Sequence, residues 1–311
     1  MNNIKILKSG KAIIDTVMSN DDLSQIIDTS DEWIYSRTGI KERKIAKDLS
    51  TLDLAYNASL EMLKDFDKTR IKYVIVATIT PDRLTPSMAC LLQAKLGLNG
   101  QEIMAFDLNA ACSGFVYALK VASSLLSDNE CALVVGVDKL SKIIDYKDRN
   151  TCVLFGDGAA GVIIEKNSDY SPLYSYAKSI GDDQDILYCK INDSNVGYLN
   201  MDGKAVFRFA TEALDNGIKQ VLKQANLTID DIDLIIPHQA NSRIIDYVAK
   251  KLKQPLDKFY TNLEYYGNTS AASVPLAYHQ AKIENRIKPG MNIIMVGFGA
   301  GFTYGSILIK E

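Results

Sequence analysis

Three residues of this sequence have the types from which an acyl-transfer site is built. Cys112 lies in LNAACSGFVYAL (108–119), where an apolar strand gives way to an apolar helix. His238 follows Ile-Ile-Pro in DLIIPHQ (233–239), at the carboxyl end of a second apolar strand. Asn268 stands in YYGNTS (265–270), just ahead of a further helix. A cysteine at a helix N-terminus feels the positive end of the dipole, which favours the thiolate. A histidine can hold that thiolate or move a proton. An asparagine can donate a hydrogen bond to a developing oxyanion without competing for the proton. Each alone has a plainer reading: Cys112 as a small buried apolar residue, His238 as a hydrogen-bonded core residue, Asn268 as a helix cap. Together they form a kit for nucleophilic acyl transfer.

The remaining chemistry-bearing residues narrow the choice. His279, the only other histidine, falls near the polar end of its helix and is expected at the surface. Cys90, Cys131, Cys152 and Cys189 read as small buried apolar residues. Five cysteines, an odd number with no C-x-x-C spacing, argue against a disulfide framework and a zinc site, so no metal is expected. Gly156-Asp-Gly158-Ala-Ala-Gly161 matches G-x-G-x-x-G, but β-branched residues follow it. A dinucleotide fingerprint must open a helix, so this match is set aside.

The elements that must carry the three residues alternate along the chain. Thr29 and Glu32 are expected to form a capping box for a first short helix. Leu52 to Phe66 follow helical spacing. Residues 73–80 read as a buried strand, Thr85-Pro86 as the start of a helix with proline at its first position, and 103–110 and 132–138 as strands. Residues 151–166 read as two strands around a Gly-rich turn. The second half repeats the order, with a helix over 202–225, a strand at 233–239, helices over 241–253 and after 270, and two strands within 291–311. FGDGAAGVII (155–164) and FGAGFTYGSI (298–307) end the two halves alike, and Cys112 and Asn268 occupy matching helix starts. This is the signature of an internal duplication. The expected fold class is α/β, two halves at 1–168 and 169–311, in an α/β/α/β/α layering.

The chain has 311 residues and a formal net charge of −3. That charge offers no global field for nucleic acid or an anionic membrane. The first residues lack the apolar core of a leader peptide, and no apolar run reaches the roughly 18–20 residues of a membrane span. A cytoplasmic location is the default expectation.

TSDEWIYSRTGIKER (29–43), LNAACSGFVYAL, DRNTCVLFGDGA (148–159), PHQANSR (237–243), YGNTS (266–270) and GFGAGFTYG (297–305) resemble, in this order, the β-ketoacyl-acyl carrier protein synthase III family of type II fatty-acid synthesis. The resemblance implies a thiolase-like fold, a homodimer, and no cofactor, acyl-CoA being a substrate. It implies that Cys112 takes the acyl group and that His238 and Asn268 bind the malonyl thioester of malonyl-acyl carrier protein during decarboxylative Claisen condensation. The backbone N–H groups of Cys112 and Ala300 would form the oxyanion hole. Ala300 stands where the family commonly has the middle glycine of three, so its donor requires a negative φ. Trp33 and Arg149 match the pair around the adenine of CoA, Arg37 a phosphate contact, and Gly203 and Asn241 positions along the pantetheine arm. Arg208 and Arg243, with Lys250 and Lys251, match a basic dock for the acidic carrier protein. Thr85 replaces a phenylalanine that closes the acyl pocket across the dimer interface, which implies room for a longer or branched starter. A polyketide or alkylquinolone synthase of the same fold remains open, as do a cysteine hydrolase and an inactive dimer scaffold.

Overall fold

The computed structural model describes residues 2–192 and 195–311. Its frame is a nine-stranded hydrogen-bonded array. In the first half the strands run Met104–Leu108, Ile71–Ala77, Cys131–Asp138, Gly158–Lys166, Asn2–Lys11 from edge to centre. In the second they run Leu234–Pro237, Asn292–Gly299, Thr303–Lys310, Pro172–Ser179. Phe259 adds a single parallel bridge outside Ile235. With strands counted in chain order within each half, both halves therefore follow the order 3-2-4-5-1, the third strand of the second half being reduced to that bridge. Among the described residues the two sheets are joined by a short antiparallel ladder, Asn2 with Leu173 and Asn3 with Pro172.

The layers follow from which faces are apolar. Cys131–Asp138 is buried at every residue, as a strand covered on both faces must be. Helices Gly114–Leu125 and Ser273–Ile283 share one core with Ile75, Val134 and Ile164 of the first sheet and Ile236, Met295 and Ile307 of the second. They are the middle layer. Helix Thr51–Leu63 covers the outer face of the first sheet, and Gly203–Ala225 and Ser242–Lys251 cover that of the second. The result is the α/β/α/β/α arrangement of a thiolase-like fold. No described helix is long and apolar enough to cross a membrane.

Several local expectations are corrected. Ser30, not Thr29, caps helix Asp31–Thr38 by accepting from Trp33 N–H at 3.1 Å, so Glu32 sits one position too early for a capping box. Pro86 lies in a loop, and the next helix begins at Met88 behind the cap Ser87. Residues 151–166 hold one strand, not two; Arg149–Cys152 forms a short helical turn capped by Asp148. Strand Gly158–Lys166 begins inside the G-x-G-x-x-G match and continues past it, so no helix stands where a dinucleotide would need one. His279 is buried, its Nδ1 3.0 Å from Ser9 Oγ, because the helix that carries it belongs to the middle layer. Cys131 and Cys152 are buried, whereas Cys189 is half-buried and Cys90 exposed.

Candidate active site

Cys112 sits in a single turn, Ala111–Ser113, that opens helix Gly114–Leu125 at the end of strand Met104–Leu108. The second half has the same device: turn Ser270–Ala272 opens helix Ser273–Ile283. Ala111 and Ser270, the first residues of the two turns, hold left-handed φ values of 46° and 50°. Such strain in non-glycine residues gathers at functional sites. The two turns pack together across the junction of the halves, and a Cβ added at Gly114 would lie 3.5 Å from that of Ala271. The structural counterpart of Cys112 is therefore Ala271; Asn268 lies three residues ahead of it, in the loop rather than at the matching helix start.

That loop is tied down on both sides. Asn268 N–H donates to Leu154 C=O at 2.8 Å, and Gly156 N–H donates to Asn268 C=O at 3.0 Å. The guanidinium of Arg43, fully buried, donates to Val153 C=O at 2.8 Å and to Met18 C=O at 3.1 Å, which fixes the partner segment. Ser270 N–H donates to Asn268 Oδ1 at 2.9 Å. The acceptor end of the amide is thereby used, and its Nδ2–H₂ donor is left for the cavity that Asn268 lines.

His238 follows strand Leu234–Pro237, with its N–H donating to Val296 C=O at 2.8 Å. The Phe298 ring meets the imidazole edge-on at 5.1 Å. Its Nδ1 is 2.9 Å from Ser273 Oγ, which already accepts from Gln239 N–H at 2.7 Å. Ser273 is buried, and its one hydrogen is satisfied by donation to Nδ1. Nε2 then carries the ring hydrogen. Burial pushes the His238 pKa down to about 3, so the ring is neutral. Neutral and fixed in this tautomer, it donates one hydrogen bond from Nε2 and takes up no proton there.

Cys112, His238 and Asn268 line one cavity of about 150 Å³. Its walls are apolar, with Leu154 and Phe155 from the first half and Leu187, Leu199 and Met201 from the hairpin that precedes helix Gly203–Ala225. Burial pushes the Cys112 thiol up to about 12; Ser270 opposes the shift and the Asp138 carboxylate adds to it. Desolvation of the anion therefore works against the thiolate that the helix start favours, at a cysteine that is half-buried.

The Gly-rich turn between the last two strands closes over the cysteine. A Cβ at Gly299 would come within 2.6 Å of Cys112 N, so only glycine fits. Gly301 holds φ +130°. Ala300, between them, is outside the positive-φ residues and takes its side chain without that strain.

Family models for the 3-oxoacyl-[acyl-carrier-protein] synthase III domain and its C-terminal domain match residues 106–179 and 222–310. The chain is 48% identical to the β-ketoacyl-[acyl-carrier-protein] synthase III of Acholeplasma laidlawii, over 99% of this chain and 98% of that one. It belongs to the β-ketoacyl-[acyl-carrier-protein] synthase III family of acyltransferases. The crystal structure of the Aquifex aeolicus 3-oxoacyl-[acyl-carrier-protein] synthase III superposes with a TM-score of 0.93 at 41% identity, covering 99% of this chain and all of that one. The priming β-ketosynthase of the R1128 polyketide pathway superposes at 0.92 with 32% identity, covering 99% of this chain and 96% of that one.

In this synthase fold the inner cavity leads outward past Gly203, Phe207 and Asn241 into a cleft of about 720 Å³. Arg37, Arg208, Arg243 and Lys251 line the cleft, as does Lys204, which the sequence reading did not single out. Asn241 caps its helix through Arg243 N–H and donates from Nδ2 to Arg37 C=O at 3.0 Å. Lys251 is paired with Asp215 at 3.0 Å, and Lys250 lies outside the cleft lining. Arg149 and Arg37 both approach the Trp33 ring, at 4.3 and 4.5 Å. Thr85 is exposed and does not reach the cavity of its own chain. Sequence reading also missed Asp138, Ser270 and Ser273. An acidic residue ending an otherwise apolar buried strand, as in ALVVGVD, was the available signal for the first.

Proposed function

We propose that Cys112 attacks the thioester of an acyl-CoA and keeps the acyl group, and that malonyl-acyl carrier protein then enters the same cavity. His238 Nε2–H and Asn268 Nδ2–H₂ hold the malonyl thioester oxygen as carbon dioxide leaves. The enolate carbon attacks the Cys112 thioester to give β-ketoacyl-acyl carrier protein. The observation that carries this reading is the pair of locked donors beside the cysteine: each has its other polar end engaged, His238 by Ser273 and Asn268 by Ser270. Such donors stabilise an oxyanion at no cost in reorganisation. The N–H groups of Cys112 and Ala300 would hold the oxyanion of the tetrahedral states. The apolar walls favour condensation over protonation of the enolate. Thioester exchange and decarboxylation call for no metal or redox cofactor.

The adenine of CoA would lie against Trp33 and Arg149, its phosphate near Arg37, and its pantetheine arm along Gly203 and Asn241. Arg208 and Arg243 would meet the acidic carrier protein, Lys250 adding charge from outside the cleft and Lys251 contributing less because Asp215 already neutralises it. We infer a homodimer that pairs through strand Met104–Leu108, an edge strand of the described array with Met104 57% exposed. A cytoplasmic location and a division of the duplicated halves near residue 168 complete the reading. The chain is more identical to the β-ketoacyl-[acyl-carrier-protein] synthase III of Acholeplasma laidlawii than to the priming β-ketosynthase of the polyketide pathway, which favours chain initiation in fatty-acid synthesis. Mass spectrometry after exposure to a panel of acyl-CoAs tests the assignment. One acyl group on Cys112 alone supports it, and label on Cys90 or Cys189 counts against it.

A further inference from the structure

The oxyanion hole proposed above pairs two N–H groups from opposite halves of the chain. Cys112 N–H belongs to the turn Ala111–Ser113 of the first half, and Ala300 N–H to the Gly-rich turn between the last two strands of the second. Two donors on separate elements can share one oxygen only if their spacing is fixed. Gly299 permits the close approach of the turns, but a missing side chain holds nothing in place.

A pair of hydroxyls joins the two turns. Thr303 pairs with Gly299 where the last two strands meet, so its side chain stands at the base of the Gly-rich turn. Ser113 is fully buried. Its Oγ is 2.8 Å from Thr303 Oγ1 and 2.8 Å from Ala110 C=O. Thr303 Oγ1 is also 3.0 Å from Ala110 C=O and 3.1 Å from Ala300 C=O. Ala110 C=O already accepts from Ser113 N–H at 3.1 Å. Donation from Ser113 to Thr303, and from Thr303 to Ala300 C=O, therefore leaves each of these groups with a partner. The other ties of the Gly-rich turn run to its own half. Asp182 N–H donates to Gly301 C=O at 2.8 Å, Ile180 N–H donates to Phe302 C=O at 2.7 Å, and the Phe302 ring stacks on Phe209 at 4.1 Å. Among the described residues, the hydrogen bonds that link the Gly-rich turn to the cysteine turn pass through Thr303 Oγ1.

We propose that Ser113 and Thr303 form a latch, a pair of positioning residues that hold Cys112 N–H and Ala300 N–H at the spacing an oxyanion needs. This role rests on the acyl-transfer reading above. Neither residue lines the cavity, so both act through the backbone. Donation to Ala300 C=O fixes the peptide that follows Ala300, and the pairing of Gly299 with Thr303 fixes the segment before it. The Ala300 N–H is thus held from both sides. On the other turn, the bond from Ser113 N–H to Ala110 C=O spans the nucleophile, and the Ser113 hydroxyl ties that span to Thr303. One threonine oxygen therefore sets the position of both donors. A misplacement of about 1 Å in such a group can cost about 100-fold in rate. The tetrahedral states of loading and condensation use these donors. Decarboxylation of the malonyl thioester uses His238 and Asn268 instead, so loss of the latch should separate the half-reactions in the opposite sense to loss of His238.

The test is Thr303→Val, which keeps the β-branched shape in the strand and removes the hydroxyl, with Ser113→Ala as a second variant and Thr303→Ser as the conservative one. Single-turnover loading of Cys112 from acetyl-CoA, read by mass spectrometry over a range of acetyl-CoA concentrations, is compared with decarboxylation of malonyl-acyl carrier protein. In Thr303→Val and Ser113→Ala the loading rate at saturation should fall about 10- to 100-fold, while the half-saturating concentration and the decarboxylation rate stay within about threefold. Thr303→Ser, which keeps the hydroxyl, should load within about threefold of the wild type. The double variant should load no more than about threefold slower than the worse single one, because both changes break the same chain of hydrogen bonds. Unchanged loading, an equal fall in both half-reactions, a Thr303→Ser as slow as Thr303→Val, or losses that multiply in the double variant would each overturn the latch. A wild type that fails to load Cys112, or a Gly299→Ala variant that loads as fast as the wild type, would instead sink the oxyanion-hole reading on which the latch rests.

Discussion

At the scale of single residues, the site is a set of polar groups with one end tied and the other free. Ser273 settles the His238 tautomer, and Ser270 N–H settles the Asn268 amide. Replacing His238 or Asn268 by alanine should therefore lower malonyl-acyl carrier protein decarboxylation by about 100- to 1,000-fold, the usual cost of one oxyanion donor. Loading of Cys112 should fall far less, because the enolate charge arises only in the second half-reaction. Separate assays of loading and decarboxylation check this split; equal losses in both would refute it. The same burial makes His238 a source of acid lability. Its folded pKa, about 3, lies below the ordinary value of 6.5, so between those values the unfolded chain binds the proton that the folded chain refuses. Stability from this group is complete above pH 6.5 and is lost as pH falls toward 3. At pH 4 the loss amounts to about 3 kcal/mol. His238→Gln should accordingly lose less stability than the wild type between pH 7 and pH 4, measured by denaturant titration at each pH.

At the scale of elements, two helix starts and one Gly-rich turn meet where the halves join. The turn works by close approach: Gly299 leaves no room for a Cβ beside Cys112 N, and the neighbouring Ala300 is free of positive φ. Gly299→Ala should push the turn off the cysteine and reduce loading at least about 100-fold, with the melting temperature only modestly lowered. Ala300→Gly should change loading little; burst kinetics and thermal melts on both variants decide. These elements were largely legible in the sequence. The all-buried strand Cys131–Asp138 and the helix starts at Cys112 and after Asn268 are written in uninterrupted apolar runs and small residues. What escaped was decided by competition or distance. Thr29 and Ser30 compete for one cap and Ser30 takes it. The apolar run 152–155 looks like a strand, but Asp148 caps a turn at Arg149 and Arg43 claims the Val153 carbonyl from more than 100 positions away in the chain. Ser273 and Asp138 become site residues only through partners in other segments, His238 and Ala271, which no local spacing reveals.

At the scale of the whole molecule, charge is unevenly placed and the chain ends its first sheet on an open edge. Arg208, Arg243, Lys204 and Arg37 gather at one cleft of a chain whose net charge is −3. Arg208→Glu or Arg243→Glu should weaken use of malonyl-acyl carrier protein at least about tenfold more than use of acyl-CoA, and added salt should imitate the effect, since exposed charges are screened over about 8–10 Å. Equal losses for both substrates would point to a shared entrance instead. The starter preference belongs to this scale too. Thr85 does not reach the cavity of its own chain, so any influence on the acyl pocket must act across a subunit interface. A threonine there lacks the ring that would shorten the pocket, and each further methylene buried gains about 0.8 kcal/mol if space accepts it. The wild type should load acyl-CoAs longer than acetyl, and Thr85→Phe should move the ratio of catalytic efficiencies toward acetyl by about tenfold. Mixed dimers separate an effect across the interface from one within the chain. A subunit carrying both Cys112→Ala and Thr85→Phe, paired with a wild-type subunit, leaves one active Cys112 that faces the new phenylalanine. That dimer should prefer acetyl-CoA. A Thr85→Phe subunit paired with Cys112→Ala alone leaves the active cysteine facing threonine and should keep the wild-type preference. If both mixed dimers behave alike, the residue acts within its own chain or not at all, and the pocket is closed by other side chains.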